Sequence, residues 1–345
     1  MNDTSCIFEI IHDAVMQNDE HLSISHMCAL AGVSRSGYYA WVKAAPIREA
    51  QEQQDKVDFD LILNAYKQRG YSKGAKGIYM CLLHNDPPII MNLKKIRRLM
   101  EKYGLSCPVR KANPYKRMIK ALKTNTVAEN LLKREFELYG PRIILLTDIT
   151  YIPYNGEFAY LSTILDAFTK QILSYVLSPS LEVDFVLETV ENLLQNHSIS
   201  LTSETIIHSD QGIHYRTHRF IRILNDAELR QSMSRKGNCW DNAPQESFFR
   251  HMKDHIREKL KLCTEFSEVK TIVDDYIDYY NNYRYQWHLA KLSPNEYYHF
   301  YTTGSYPIPI ENPPLKPIAA KTPDELGAGT ESRDSTPDAQ HPGSP

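Results

Sequence analysis

The sequence predicts an α/β fold: a mixed five-stranded sheet with flanking helices, preceded by helical regions. Three observations predict it. Residues 142–178 hold three apolar, β-branched runs in close succession, RIILLTDITYIPY, GEFAYLSTILDAFTK and KQILSYVLS, which read as an antiparallel meander. After them, helical patterns alternate with two short strands, the order of a mixed α/β sheet. Before residue 105 the readable segments have helical spacing.

At 345 residues the chain has room for two or three domains, and its 42% hydrophobic and 24% charged content is that of an ordinary soluble protein. Its cysteines, at 6, 28, 81, 107, 239 and 263, form no CxxC pair. That excludes a zinc ribbon or disulfide framework and suits a reducing cytosol. The opening MNDTSCIFEIIHDAV lacks the basic start of a signal peptide, and no apolar run nears the roughly 18 residues of a membrane span, so no membrane partner is expected.

Net charge is only −2, but its distribution is uneven. Eleven Lys/Arg face one acid, Glu101, between Met91 and Lys123. Such a cluster is the footprint of a phosphate-backbone contact, or else a solvated helix face followed by a basic linker.

In chain order, LSISHMCALAGVSRSGYYAW (22–41) reads as a helix–turn–helix, with Met27, Leu30 and Val33 as its apolar face. Gly32 ends the first helix, Ser34 caps the second, and Arg35 and Ser36 fall in its first turn, where a recognition helix meets DNA. Residues 44–56 read as a polar connector. The helix NLKKIRRLMEKYGL has an inner stripe of Ile96, Leu99, Met100 and Tyr103 and a basic outer face of Lys94, Lys95, Arg97 and Arg98. The first strand covers 142–154 and turns at Asn155-Gly156 into the second, and the third spans 170–178. A helix over 181–196, the strand ETIIH (204–208), a helix near 218–225, a strand near 231–234 and a long helix from Asn242 to about Leu260 complete the core. Residues 266–300 are helical and tyrosine-rich. From Thr303 onward, with nine of the chain's 19 prolines, no periodicity remains and a disordered tail is expected.

Three acids stand out. Asp148 interrupts the apolar run IILLTDITYI, where a charge is costly unless paired or bound to a cation. Asp210 follows the fourth strand in HSDQGIHY, and Glu246 lies one turn into the long helix. Singly, each has a structural reading: a cap, a turn, and a helix N-terminal acid favoured by the macrodipole. Jointly, if the first and fourth strands are neighbours, the three converge, and three carboxylates tolerate one another around divalent cations such as Mg2+. On the long helix Arg250 and Lys253 follow Glu246 down one face. The loop SRKGNCWDNA before it adds Arg235 and Lys236.

LLTDITYIPYNGEFAYLSTILDAFTKQILSY, IIHSDQGIHY and QSMSRKGNCWDNAPQESFFRHMK resemble the catalytic core of insertion-sequence transposases, specifically the second-frame product of insertion sequence family three. YYNNYRYQWHLAKLSPNEYY resembles that family's C-terminal signature, and GVSRSGYYAW and MNLKKIRRLMEKYGL its N-terminal helices. The resemblance implies an RNase H-like, integrase-related core. It implies a DDE polynucleotidyl transferase that cleaves and joins strands at insertion-sequence ends. Asp148, Asp210 and Glu246 match the acidic triad and Lys253 the lysine after it. Two Mg2+ ions are implied, with Mn2+ as a substitute: Asp148 and Asp210 on one, Asp148 and Glu246 on the other. The implied partners are DNA (terminal inverted repeats and target), further copies of the chain on that DNA, and an upstream-frame companion protein. The implied setting is the bacterial cytoplasm, at the nucleoid. Gln286 departs from relatives that carry histidine two residues after the signature arginine, and the Pro-rich tail matches nothing in the family. A non-catalytic DNA-binding regulator and a hydrolysis-only nuclease are the competing functions. The expected domains are 1–44, 45–125, 136–302 and the tail 303–345.

Overall fold

The computed structural model describes residues 4–17, 23–108, 138–233 and 243–321. The chain divides into two compact units, Met1–Ala65 with Lys94–Leu105, and Tyr66–Leu93 with Ser106–Pro345.

In the first unit, α1 (Thr4–Met16) precedes α2 (Ile24–Leu30) and α3 (Arg35–Lys43). Ser34 Oγ accepts from Gly37 N at 3.0 Å, and Gly32 sits at φ +67°, so the turn is built as its residues dictate. The core pairs Met27, Cys28 and Tyr38 with Phe8 and Ile11 of α1. Leu30, expected inside, is 74% exposed, because α1 covers the side of the hairpin that carries Met27.

The expected connector at 44–56 is instead the first half of a 23-residue helix, α4 (Ala45–Lys67). Its alanines, glutamates and glutamines are strong helix formers, and Pro46 falls in the first turn, where its missing N–H has no helical partner to lose. In the second unit α5 (Ala75–Leu83) follows. Back in the first unit, α6 (Leu93–Lys102) buries Ile96, Leu99 and Met100, as the stripe predicts.

The sheet comprises β1 (Ile144–Tyr154), β2 (Glu157–Asp166), β3 (Ile172–Ser178), β4 (Ile206–Ser209) and β5 (Arg230–Met233) in the order β3-β2-β1-β4-β5. The meander β1–β2–β3 is antiparallel, while β4 and β5 add in parallel, so the sheet is mixed as expected. Asn155 (φ +41°) and Gly156 (φ +78°) make the two-residue hairpin between β1 and β2. One face carries α7 (Asp184–His197) and α8 (His218–Asp226), whose Val186, Val190 and Phe220 pack on Leu145 and Ile207. The other carries α9 (Ala243–Leu260) and α10 (Phe266–Asn282), whose Phe248, Met252, Ile256 and Val273 pack on Ile144, Leu146 and Ile152.

A last helix, α11 (Pro294–Thr303), begins with a capping box between Ser293 and Glu296. Residues 304–321 then depart from the expected disordered tail. Ile308 is buried with Leu83, Leu292 and Phe300, Tyr306 Oη donates to Ala290 O at 2.8 Å, and Lys321 N donates to Leu138 O at 3.0 Å. A segment without periodicity is held here by buried Ile308, by Tyr306 and Ile310 packed beside it, and by a few hydrogen bonds. Residues 322–345 lie outside the described residues.

Candidate active site

Asp148 lies mid-way along β1, opposite Thr163 of β2. Side chains alternate along a strand, so it shares the face of Leu146 and Ile152, the face under α9. β4 pairs with β1 through Ile144–Ile206, Leu145–Ile207 and Leu146–His208. Continuing that register by two residues brings Asp210 level with Asp148 and onto the same face. The neighbouring first and fourth strands expected from the sequence are thus observed.

Glu246 enters from α9. The residue before it, Gln245, is fully buried, and its Nε2 donates to the Oγ1 of Thr163, the β2 residue opposite Asp148. That bond ties the first turn of α9 to the sheet at the level of Asp148.

Burial pushes the Asp148 carboxyl up to about 7. A hydrogen bond from Ile149 N at 2.8 Å opposes the rise, the charges of Asp210 and Glu246 add to it, and Lys253 opposes it. Asp210, Glu246 and Lys253 therefore share one electrostatic neighbourhood with Asp148.

A second aspartate in the same sheet shows what a purely structural acid looks like. Asp166 is fully buried, but it accepts from Arg142 Nη1 at 2.6 Å and from the main-chain N–H groups of Arg142, Phe168 and Thr169. Its charge is compensated. Asp148 has one main-chain N–H against two neighbouring carboxylates, an arrangement that a hard cation would relieve. Among the described residues no group of three His, Cys, Asp or Glu is drawn tightly enough to grip an ion as it stands. The donor chemistry fits a hard divalent cation.

Asp210 is both a turn residue and a member of the acidic set. Its Oδ1 accepts from Gly212 N at 2.8 Å, and a Cβ on Gly212 would stand 2.8 Å from that same oxygen. Tyr215, buried at 2% exposure, lies close to both aspartates: burial, then Asp148, drive its phenol well above the usual range, with Asp210 adding to the rise and Thr147 easing it.

Of the cations expected at the DNA, Arg250 is exposed one turn beyond Glu246, and Lys253 is half-buried beside Asp148. Arg35 is exposed on α3. The basic face of α6 is partly paired within its own unit. Lys95 pairs with Asp58, and Arg98 makes a bidentate pair with Asp55, 2.7 Å on each arm. Both thus face acids of α4, while Arg98, like Lys94 and Arg97, remains exposed. Arg235 and Lys236 lie outside the described residues.

Two integrase core domain models match the chain, at residues 139–239 and 246–299. The putative transposase InsK for insertion sequence element IS150 of Escherichia coli K12 is 36% identical over 217 residues, 62% of this chain and 74% of the relative. An uncharacterized transposase-like protein of Haemophilus influenzae is 34% identical over 212 residues, 61% of this chain and 94% of its own. The transposase InsF for insertion sequence IS3A of Escherichia coli K12 is 27% identical over 286 residues, 82% and 96% of the two chains. The chain belongs to the IS3-family transposases.

As a member of that family the transposase acts in DNA transposition, a polynucleotidyl transfer. Its sheet order and the matched core give it the integrase-like, RNase H-like fold. Sequence reasoning missed Gln245 and Tyr215. Each neighbours a recognised acid segment, in APQE and in DQGIHY, and that adjacency was the available signal.

Proposed function

We propose that Asp148, Asp210 and Glu246 are the catalytic set of this transposase. Asp148 and Asp210 would hold one Mg2+ and Asp148 and Glu246 a second, with Mn2+ as a substitute. When bound, the two ions supply a nucleophile at neutral pH and stabilise the leaving oxygen of a phosphodiester. The carrying observation is the shared neighbourhood of the three acids on one face, read in the raised Asp148 carboxyl.

The chain's own groups have distinct parts. The β1–β4 register sets the two aspartates, and Gln245 on Thr163 sets the helix that delivers Glu246. The Gly212 N–H orients the Asp210 carboxylate. Lys253, half-buried, offers charge to a phosphate beside Asp148, and Arg250 extends that charge along α9. Arg35 on α3 and Arg97 with Lys94 on α6 are candidates for reading element ends and target DNA. Assembly of several copies on DNA, and an upstream-frame companion, belong to the same proposal, as does a place in the bacterial cytoplasm at the nucleoid. No helix among the described residues is long and apolar enough to cross a membrane.

The test is strand cleavage and strand transfer on the cognate element ends with Asp148→Asn, Asp210→Asn and Glu246→Gln. Each is expected to lose more than the roughly 10–100-fold that follows loss of an outer-shell partner, with end binding retained. A variant that keeps metal-dependent cleavage removes its residue from the set.

A further inference from the structure

A cavity of about 630 Å³ opens in the second unit, between α5, the first turns of α9 and the segment Tyr283–His288 of the C-terminal signature. Its volume lies within the roughly 300–1,000 Å³ typical of ligand sites. Its lining includes Lys73, Lys170, Arg284 and three histidines, and among the described residues no Asp or Glu. The α9 residues Ser247 and His251 face it, one position round the helix from Glu246 and Arg250.

Two of the cations have no anionic counterpart among the described residues. No carboxylate pairs with half-buried Arg284 among the described residues; its guanidinium lies 5.6 Å from the centre of the Tyr280 ring. Lys73 is 7% exposed, and its ammonium donates to main-chain carbonyls, Gln68 O at 2.6 Å and Tyr71 O at 2.9 Å. The Gln286 amide is buried at the cavity wall. It leans on the Tyr280 phenol, yet its Nε2 completes no hydrogen bond of good geometry among the described residues. At the rim, Trp287 is 40% exposed and carries Lys76 and Lys291 near its ring, at 4.9 and 5.7 Å from the centroid. Tyr283 is also exposed there.

Uncompensated positive charge, an amide donor seeking a partner and exposed rings together describe a site for an anion that also has a flat face. Base stacking on aromatic rings with phosphate held by arginine is the general way proteins grip unpaired strands. We infer that this cavity takes one unpaired nucleotide of single-stranded DNA, its base on Trp287 and Tyr283 and against Gln286, its phosphate toward Arg284. The inference rests on the transposase acting on DNA, and it adds a place beside α9 where a strand separated from its complement is held.

The test uses the full chain with two DNA probes of one sequence, a blunt duplex and the same duplex with a short single-stranded overhang carrying 2-aminopurine. Wild type is expected to prefer the overhang by about tenfold or more and to quench the 2-aminopurine on binding. Trp287→Ala should lose the quench, Arg284→Ala the preference, and both should bind the blunt duplex as wild type does. Absence of any overhang preference in wild type, or a preference and quench untouched by both substitutions, overturns the inference while leaving duplex binding to speak for the DNA reading. Loss of blunt-duplex binding by wild type itself would count against that underlying reading instead.

Discussion

Replacing Asp148 by asparagine is expected to end catalysis and, at the same time, to stabilise the fold above neutral pH. Burial, reinforced by Asp210 and Glu246, moves this carboxyl from 3.8 up to about 7. The move is upward, so the charged form is disfavoured in the folded chain. Below pH 3.8 both states keep the proton and nothing is lost. Between there and about pH 7 the unfolded chain sheds the proton while the folded one retains it, so stability falls; above about 7 the loss is complete. Roughly three pH units at about 1.4 kcal/mol each put the full cost at about 4 kcal/mol. Asparagine keeps the size and removes the charge, so the variant should gain up to about 4 kcal/mol over wild type at pH 8 and less than half of that at pH 5. Urea denaturation in a chelator at the two pH values measures both. Added Mg2+ should raise wild type and leave the variant unmoved. A variant no more stable than wild type at pH 8, or a gap that ignores pH, would refute the reasoning that this carboxylate is held against its own electrostatic preference.

Gly212→Ala places a methyl 2.8 Å from Asp210 Oδ1 on a backbone whose φ of −54° suits alanine. Cleavage should fall about tenfold or more while stability changes by less than about 1 kcal/mol, since only the carboxylate is displaced; unaltered cleavage would mean its orientation is immaterial. Gln245→Ala should cost about 1–3 kcal/mol by removing a buried bond to Thr163, and cleavage should drop with DNA binding unchanged. Ending the chain after Lys321 should leave stability unaltered. Ending it after Thr303 removes Ile308 from Leu83, Leu292 and Phe300 and should cost at least about 2 kcal/mol by denaturant titration.

The strands, and Asp148 as an acid in need of a reason, are legible because they break a local rule in plain view. An aspartate inside an apolar β-branched run needs a reason, and Asn155-Gly156 admits few structures other than a tight hairpin. The residues that fell elsewhere depend on partners far away in the chain. The first half of α4 has no apolar stripe to announce it; Asp55 and Asp58 are held there by Arg98, Lys102 and Lys95 of α6. For the same reason a charge count over residues 91–123 does not show which α6 cations have acidic partners. Residues 304–321 lack periodicity, yet one isoleucine finds a gap between α5 and α11. Gln245 and Tyr215 acquire their meaning only once the register of β1 with β2 and β4 is set.

The proposal that Asp148, Asp210 and Glu246 gather around divalent metal is tested most directly by iron-directed hydroxyl-radical cleavage of the full chain. Fe2+ in the Mg2+ positions, with ascorbate and peroxide, cuts main chain close to its ligands. Three cuts are expected, near residues 148, 210 and 246, all suppressed by excess Mg2+ and all lost together in Asp148→Asn. Cutting at one of the three alone, or cuts that Mg2+ does not suppress, would contradict a shared metal site.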